Sequence, residues 1–349
     1  MRIAAVGSAL PNNYYDQETL TRYLTEVMRD EPAAARRLPQ LHANTRVRGR
    51  HLALPLERYA ELQDFTDWNA AWLQCALELG ERAVTRALER AGLVPTDIDA
   101  IFFSTVTGLA SPSVEARLMN RMKMRTDVRR VPMFGVGCVA GAAAVARAAD
   151  YLRGNPDGVA LVLTVELCSL TLQRDDRSVA NLISVGLFGD GASAAIVTGS
   201  NRKADGPRIL ATRSVFYPDT EDVMGWDIGS HGFKIVLSPQ VPVVARERLP
   251  QDIDAFLADH SLSRADVRSW VCHPGGPKVL QALQDGLELD EQALACSWDN
   301  LERRGNLSSA SVLLILEDTI RDRRPPAGSK GVMLAMGPGF CSELLLLDW

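Results

Sequence analysis

The sequence predicts an α/β fold built twice over, and three observations carry that reading. Short apolar runs bounded by glycine and polar residues alternate with longer helical stretches, as strands buried on both faces and joined by helices do. A run of tiny residues after Val136-Gly137-Cys138 reads as a helix apolar on nearly every side, hence buried. Finally, residues 92–101 resemble residues 261–270, and both segments follow a helix and enter a strand. With 349 residues, 46% of them hydrophobic, the chain exceeds the roughly 250–300 residues at which one core usually divides.

The elements follow in order. Residues 1–7 form a first strand that turns at Ser8, and Asp16 begins a helix to Met28. Arg36, Arg37, Arg46, Arg48 and Arg50 then raise the local positive charge. They fit either a phosphate-meeting surface or a solvated face. Residues 68–92 form a long helix capped by Gly92, and 95–99 turn into a buried strand at 100–105. Gly108 and Pro112 mark a loop; a further helix leads to a short strand at 133–135 that feeds Cys138. The helix from Cys138 stops at Gly154, and apolar strands are expected at 159–165 and 192–197, the latter after a turn at 188–191.

The second half repeats this plan. The displacement that matches 92–101 to 261–270 carries Cys138 to within one residue of Asn306, which opens the helix at 309–318. Phe188-Gly189-Asp190-Gly191 is echoed by Met336-Gly337-Pro338-Gly339, each leading into an apolar strand. Residues 199–207 read as the linker, so domains of 1–203 and 204–349 are expected.

Composition narrows the function. A net charge of -5 without a basic stripe argues against nucleic acid. No run reaches the roughly 18 apolar residues of a membrane span. The 6 cysteines lack CxxC spacing and no signal peptide precedes them, as in a cytoplasmic protein with reduced thiols. No metal-ligand cluster is visible and no cofactor is expected.

Chemistry concentrates in three residues. Cys138 sits where unpaired N–H groups and the helix dipole lower a thiol pKa, although a buried structural cysteine fits the same position. His273 ends the strand at 269–272 before Pro274-Gly275-Gly276-Pro277, at the carboxyl end where open α/β sheets build sites. Asn306, in Gly305-Asn306-Leu307-Ser308-Ser309, is an N-cap or an amide donor. Together a thiol, an imidazole and an amide make an acyl-transfer set.

These motifs, with Gly337-Pro338-Gly339, resemble the type III polyketide synthases of the chalcone synthase superfamily over nearly the whole chain. The resemblance implies a thiolase fold, a duplicated five-layered αβαβα architecture, and a homodimer paired through the N-terminal half. It implies that Cys138 takes the acyl group from an acyl-CoA starter and that His273 partners the thiolate. Asn306 and His273 would stabilise the enolate left when malonyl-CoA loses carbon dioxide. Phe188 matches an aromatic gatekeeper, and the second gatekeeper position falls near Ile235, where plant relatives carry an aromatic. Ser308, Gly337, Pro338 and Gly339 would line the cavity. Val106, Thr107 and Ser111 fall where relatives shape the starter pocket or reach the partner subunit, and Thr171 or Cys168 near a ring-closing water. Arg46, Arg48 and Arg50 would meet coenzyme A. Residues 165–176 and 224–228 look like bacterial alkylpyrone or alkylresorcinol synthases. The expected starter is therefore a medium- or long-chain acyl-CoA, extended by two or three malonyl units. A malonyl or aromatic starter is the alternative, as are a carrier-protein-dependent ketoacyl synthase of the third type, a cysteine hydrolase and a non-enzymatic acyl-CoA binder.

Overall fold

A computed structural model of the chain describes every residue except 30 and 291. The first half comprises β1 (Arg2–Ala9), β2 (Asn13–Asp16), α1 (Gln17–Val27), α2 (Pro32–Ala43), β3 (Gly49–Leu52), α3 (Leu56–Tyr59), α4 (Phe65–Ala91), β4 (Ala100–Ser104), α5 (Val114–Arg121), β5 (Arg129–Met133), α6 (Ala140–Arg153), β6 (Val159–Leu167), α7 (Val179–Leu187) and β7 (Asp190–Thr198). The second comprises β8 (Arg208–Phe216), β9 (Met224–Gly229), β10 (Gly232–Leu237), α8 (Val241–Ala258), β11 (Val267–Cys272), α9 (Pro277–Leu287), α10 (Ala295–Arg304), α11 (Ser311–Asp322), β12 (Lys330–Gly337) and β13 (Cys341–Asp348).

Nine strands run in the order β11-β12-β13-β8-β1-β7-β6-β4-β5. A single residue pair, Arg2 with Arg208, joins β1 to β8, so the sheet is two sheets meeting at a seam. Alternation along the strands sets the layers. Ile101, Phe103, Leu161 and Leu163 pack with α4 residues on one side. Ala100, Phe102, Ala160 and Val162 pack with α6 and α11 on the other. In the second half Val271, Met333, Leu345 and Leu347 meet the same central helices. Trp270, Val332, Leu334 and Leu344 turn outward to α8 and α9. The result is the αβαβα stack of the thiolase fold.

The repeat is visible in hydrogen bonds. Gly92 and Ser261 both hold left-handed backbones, φ 65° and 57°. After each, Leu93 N–H donates to Leu88 C=O at 3.0 Å, and Leu262 N–H to Leu257 C=O at 2.9 Å. Asp97 then accepts from Val94 N–H, and Asp266 from Ser263 N–H, both at 2.8 Å. One correction follows from the helix starts. A 3-10 turn at Gly137–Val139 precedes α6 and one at Ser308–Ala310 precedes α11, so Cys138 corresponds to Ser309 and not to Asn306.

A second correction concerns the strand before Cys138. It spans Arg129–Met133 and ends where it was expected to begin. As the sheet edge it is largely exposed, so it lacks an apolar signature, and an edge tolerates Pro132. None of the described helices is long and apolar enough to cross a membrane.

Candidate active site

The site lies where the two halves meet. Cys138 comes from the 3-10 turn before α6, His273 from the residue after β11, and Asn306 from the loop before α11. All three line one cavity with Phe188, Ile235, Ser308 and Pro338. Close backbone approach fixes this arrangement. A Cβ on Gly137 would stand 2.5 Å from Pro338 Cδ, one on Gly337 2.5 Å from the Val136 carbonyl, and one on Gly141 2.3 Å from the Ser309 carbonyl.

Each polar group has a distinct environment. The Cys138 thiol donates to Ser308 Oγ at 3.5 Å. Asn306 is tied at both backbone atoms, its N–H to the Leu187 carbonyl at 2.9 Å and its carbonyl from Gly189 N–H at 3.0 Å. Its Oδ1 accepts from Ser308 N–H at 2.8 Å, which fixes the amide orientation and leaves Nδ2 a long 3.4 Å contact to the Gly275 carbonyl. His273 is 4% exposed, and neither ring nitrogen has a hydrogen-bond partner. Burial pushes the Cys138 thiol up to about 12 and the His273 imidazole down to about 3. The helix start was expected to lower the thiol pKa. Here loss of water outweighs the dipole and the Ser308 hydrogen bond, because a lone buried charge has nothing to replace its hydration.

The other expected residues divide. Phe188, Ile235, Ser308 and Pro338 line the cavity. Thr107 does too, but its hydroxyl is committed: it donates to Glu166 Oε2 at 3.0 Å and accepts from Leu167 N–H at 3.0 Å. Thr171 lines a neighbouring cavity instead, and its hydroxyl donates to the Cys168 carbonyl at 2.8 Å. Gly337 and Gly339 shape the loop without lining the cavity. Ser111 is exposed and away from it. Arg46 lies over the Trp298 ring at 4.9 Å, and Arg48 pairs with Glu302, both beside an open surface depression. Arg50 does not share that surface: it is buried and donates to the Phe188 carbonyl at 2.6 Å. Arg46 and Arg48 precede β3, and Arg46 has a left-handed backbone (φ 58°), so strand alternation does not hold the three arginines on one face.

Some residues at the site had no sequence signal of their own. Trp226 lines the cavity and is the cross-strand partner of Ile235 in the β9–β10 hairpin. Cys168, which the resemblance placed near a ring-closing water, lines it as well. Glu166 is fully buried behind it, accepting from Val106 N–H at 3.2 Å, from Thr107, and from the Ser309 hydroxyl. Burial raises its pKa to about 7.

A thiol, an imidazole and an oriented amide facing one cavity, at the seam of a duplicated αβαβα fold, define a thiolase-fold acyltransferase. Comparison with known proteins narrows the class. Residues 1–201 match the model of the chalcone and stilbene synthase N-terminal domain, and 208–348 that of the C-terminal domain. The chain is 51% identical to a 1,3,6,8-tetrahydroxynaphthalene synthase of Streptomyces peucetius subsp. caesius, over 99% of this chain and 93% of that one. It is 35% identical to a putative chalcone synthase of Bacillus subtilis (strain 168), over 99% and 98%. The crystal structure of 1,3,6,8-tetrahydroxynaphthalene synthase from Streptomyces coelicolor A3(2) superposes with a TM-score of 0.95 at 32% identity, covering 100% of this chain and 99% of that one. The chain belongs to the chalcone and stilbene synthase family. It is a type III polyketide synthase, an acyltransferase that condenses malonyl-CoA.

Proposed function

We propose that malonyl-CoA is the starter as well as the extender, and that the product is a small aromatic polyketide of the tetrahydroxynaphthalene kind. The full-length 51% identity to a synthase of that name carries this reading. The cavity supports it. The fatty starter was expected from residues 165–176 and 224–228 and from Ile235 standing where relatives carry an aromatic gatekeeper, yet Trp226 stands opposite Ile235 and returns an aromatic to the same wall. Alkylpyrone and alkylresorcinol formation therefore has less support than the malonyl alternative.

In this mechanism Cys138 attacks the thioester carbonyl of malonyl-CoA, and coenzyme A leaves. Thiolate and imidazolium charge together: each is costly alone in a dry site, and their mutual attraction offsets that cost. The proton moves from Cys138 to His273, whose two nitrogens have no competing partner. A second malonyl-CoA then loses carbon dioxide. Asn306 Nδ2 and the His273 N–H donate to the enolate oxygen, which carries charge only as the reaction proceeds. The enolate carbon attacks the cysteine thioester and expels the Cys138 thiolate. The lengthened chain, now a coenzyme A thioester, is transferred back to Cys138 with loss of coenzyme A, and repetition extends it. Arg46 and Arg48 would meet the coenzyme A phosphates. Pairing of two chains is proposed around the β5 edge, where Val131 on the strand and Leu109 and Phe134 in flanking loops are exposed.

The test is mass spectrometry of products from purified protein with malonyl-CoA alone and with acyl-CoA starters from acetyl to stearoyl, beside Cys138→Ala. Malonyl-only aromatic products from wild type, absent in the variant, are expected. Alkylpyrones or alkylresorcinols as the main products would overturn the malonyl-starter reading.

A further inference from the structure

A second cavity adjoins the first. It lies among α1, α3 and α7 and shares a wall of Cys168, Phe188, Trp226 and Ile235 with the chamber that holds Cys138. Its cavity volume is about 70 Å³, against about 50 Å³ for the first, so it adds space of the same order beside the reaction chamber. Leu20, Leu24, Leu52 and Leu56 make much of its lining apolar.

Into this apolar space the fold places Arg50, 3% exposed. One guanidinium nitrogen donates to the Phe188 carbonyl, while Nε has no acceptor. No carboxylate of the described residues forms an ion pair with it. Asp190 lies close enough to favour its charge, but the Asp190 oxygens already accept from Ala53 N–H at 2.6 Å, from Ser169 N–H at 2.8 Å and from the Ser169 hydroxyl. Ser184 Oγ, on the same cavity wall, is also buried without a partner. Burial lowers the Arg50 pKa only to about 10, so it is cationic at neutral pH. A buried cation with spare donors calls for an anion, because a neutral occupant leaves those donors unpaired. A fatty tail would do so; a chain with a carboxylate at its far end would not.

We infer that the second cavity receives the far end of the growing poly-β-ketone and that Arg50 holds its terminal carboxylate. This rests on the malonyl-starter reading above, since a malonyl starter that keeps its carboxylate places that group at the far end. Arg50 is then a specificity-determining residue, distant from the reacting carbon.

The test compares starters of matched length that end in carboxylate or methyl: glutaryl-, adipyl- and pimeloyl-CoA against pentanoyl-, hexanoyl- and heptanoyl-CoA. Wild type, Arg50→Met and Arg50→Lys are each supplied with malonyl-CoA, and products are quantified by mass. Wild type should favour the carboxylate-ended member at one length or more, and Arg50→Met should lower the carboxylate-to-methyl ratio by roughly tenfold or more, the scale of a lost charge-assisted hydrogen bond. Arg50→Lys should recover part of the ratio. Equal loss for both series would make Arg50 structural only, and an unchanged ratio would equally overturn the inference. Thermal melting of each variant identifies misfolding, and the Lys variant keeps the comparison valid if Arg50→Met does not fold. If wild type prefers carboxylate ends yet makes no malonyl-only product, the malonyl-starter reading falls and the Arg50 site stands. If malonyl-only products form but the ratio does not depend on Arg50, the reverse holds.

Discussion

Cys138 and His273 are each held neutral by burial, and the proposed mechanism has them charge together. A thiolate or an imidazolium alone would be a lone charge without water; formed together, each supplies the counter-charge the other lacks. His273→Gln should therefore slow both loading of Cys138 and decarboxylation, by about 10²–10³. Asn306→Ala should slow decarboxylation far more than loading. Single-turnover mass spectrometry of acyl-enzyme, beside carbon dioxide release, separates the two steps. Glu166 offers a test by stability. Its folded pKa of about 7 lies above the ordinary 4.5, so between these values the folded state binds more protons than the unfolded one. Stability should be highest below pH 4.5 as far as this group decides it, fall as pH rises towards 7, and level off beyond. Glu166→Gln should flatten that fall, as read from urea midpoints between pH 5 and 8.

Among the elements, the β9–β10 hairpin walls the cavity and the α6–α11 contact joins the two halves. Trp226→Ala should open the wall opposite Ile235 and raise the share of products from hexanoyl- and longer acyl-CoA starters, measured in direct competition with malonyl-CoA alone; an unchanged starter profile would show that Trp226 does not limit the cavity. Gly141 has no room for a side chain, so Gly141→Ala should cost about 1–3 kcal/mol in a urea titration. Both features mark the boundary of sequence reading. The tiny residues of α6 announced a buried helix. What they approach lies in the other half of the chain. Cross-strand partnership is a matter of register, so Ile235 could be read as a missing aromatic while the aromatic stood beside it. Arg50 shows the same limit: charge placed it with Arg46 and Arg48, but both precede β3 and Arg46 takes a left-handed backbone, so the three do not share one strand face.

For the whole molecule, the duplicated fold was legible because its signals are local. Asp97 and Asp266 cap equivalent turns, and Gly92 and Ser261 end equivalent helices. The alignment of Cys138 with Asn306 was not, because Asn306 lies ahead of its helix and its place depends on the parallel bridge to Phe188. The exposed Leu109, Val131 and Phe134 around the β5 edge lead to an expectation for assembly. Sedimentation should show a dimer, and Val131→Lys with Phe134→Lys should shift it towards monomer.

The single pair between Arg2 and Arg208 has a consequence for how the chain can be divided. So little backbone crosses the seam that cohesion rests on α6 and α11, each of which needs the other half's strands to complete its cover. A gene cut within 199–207 would thus encode two fragments that each expose a greasy face when made alone. Made together, they should assemble, and every turnover would report one completed pair. The molecule would then serve as its own complementation reporter.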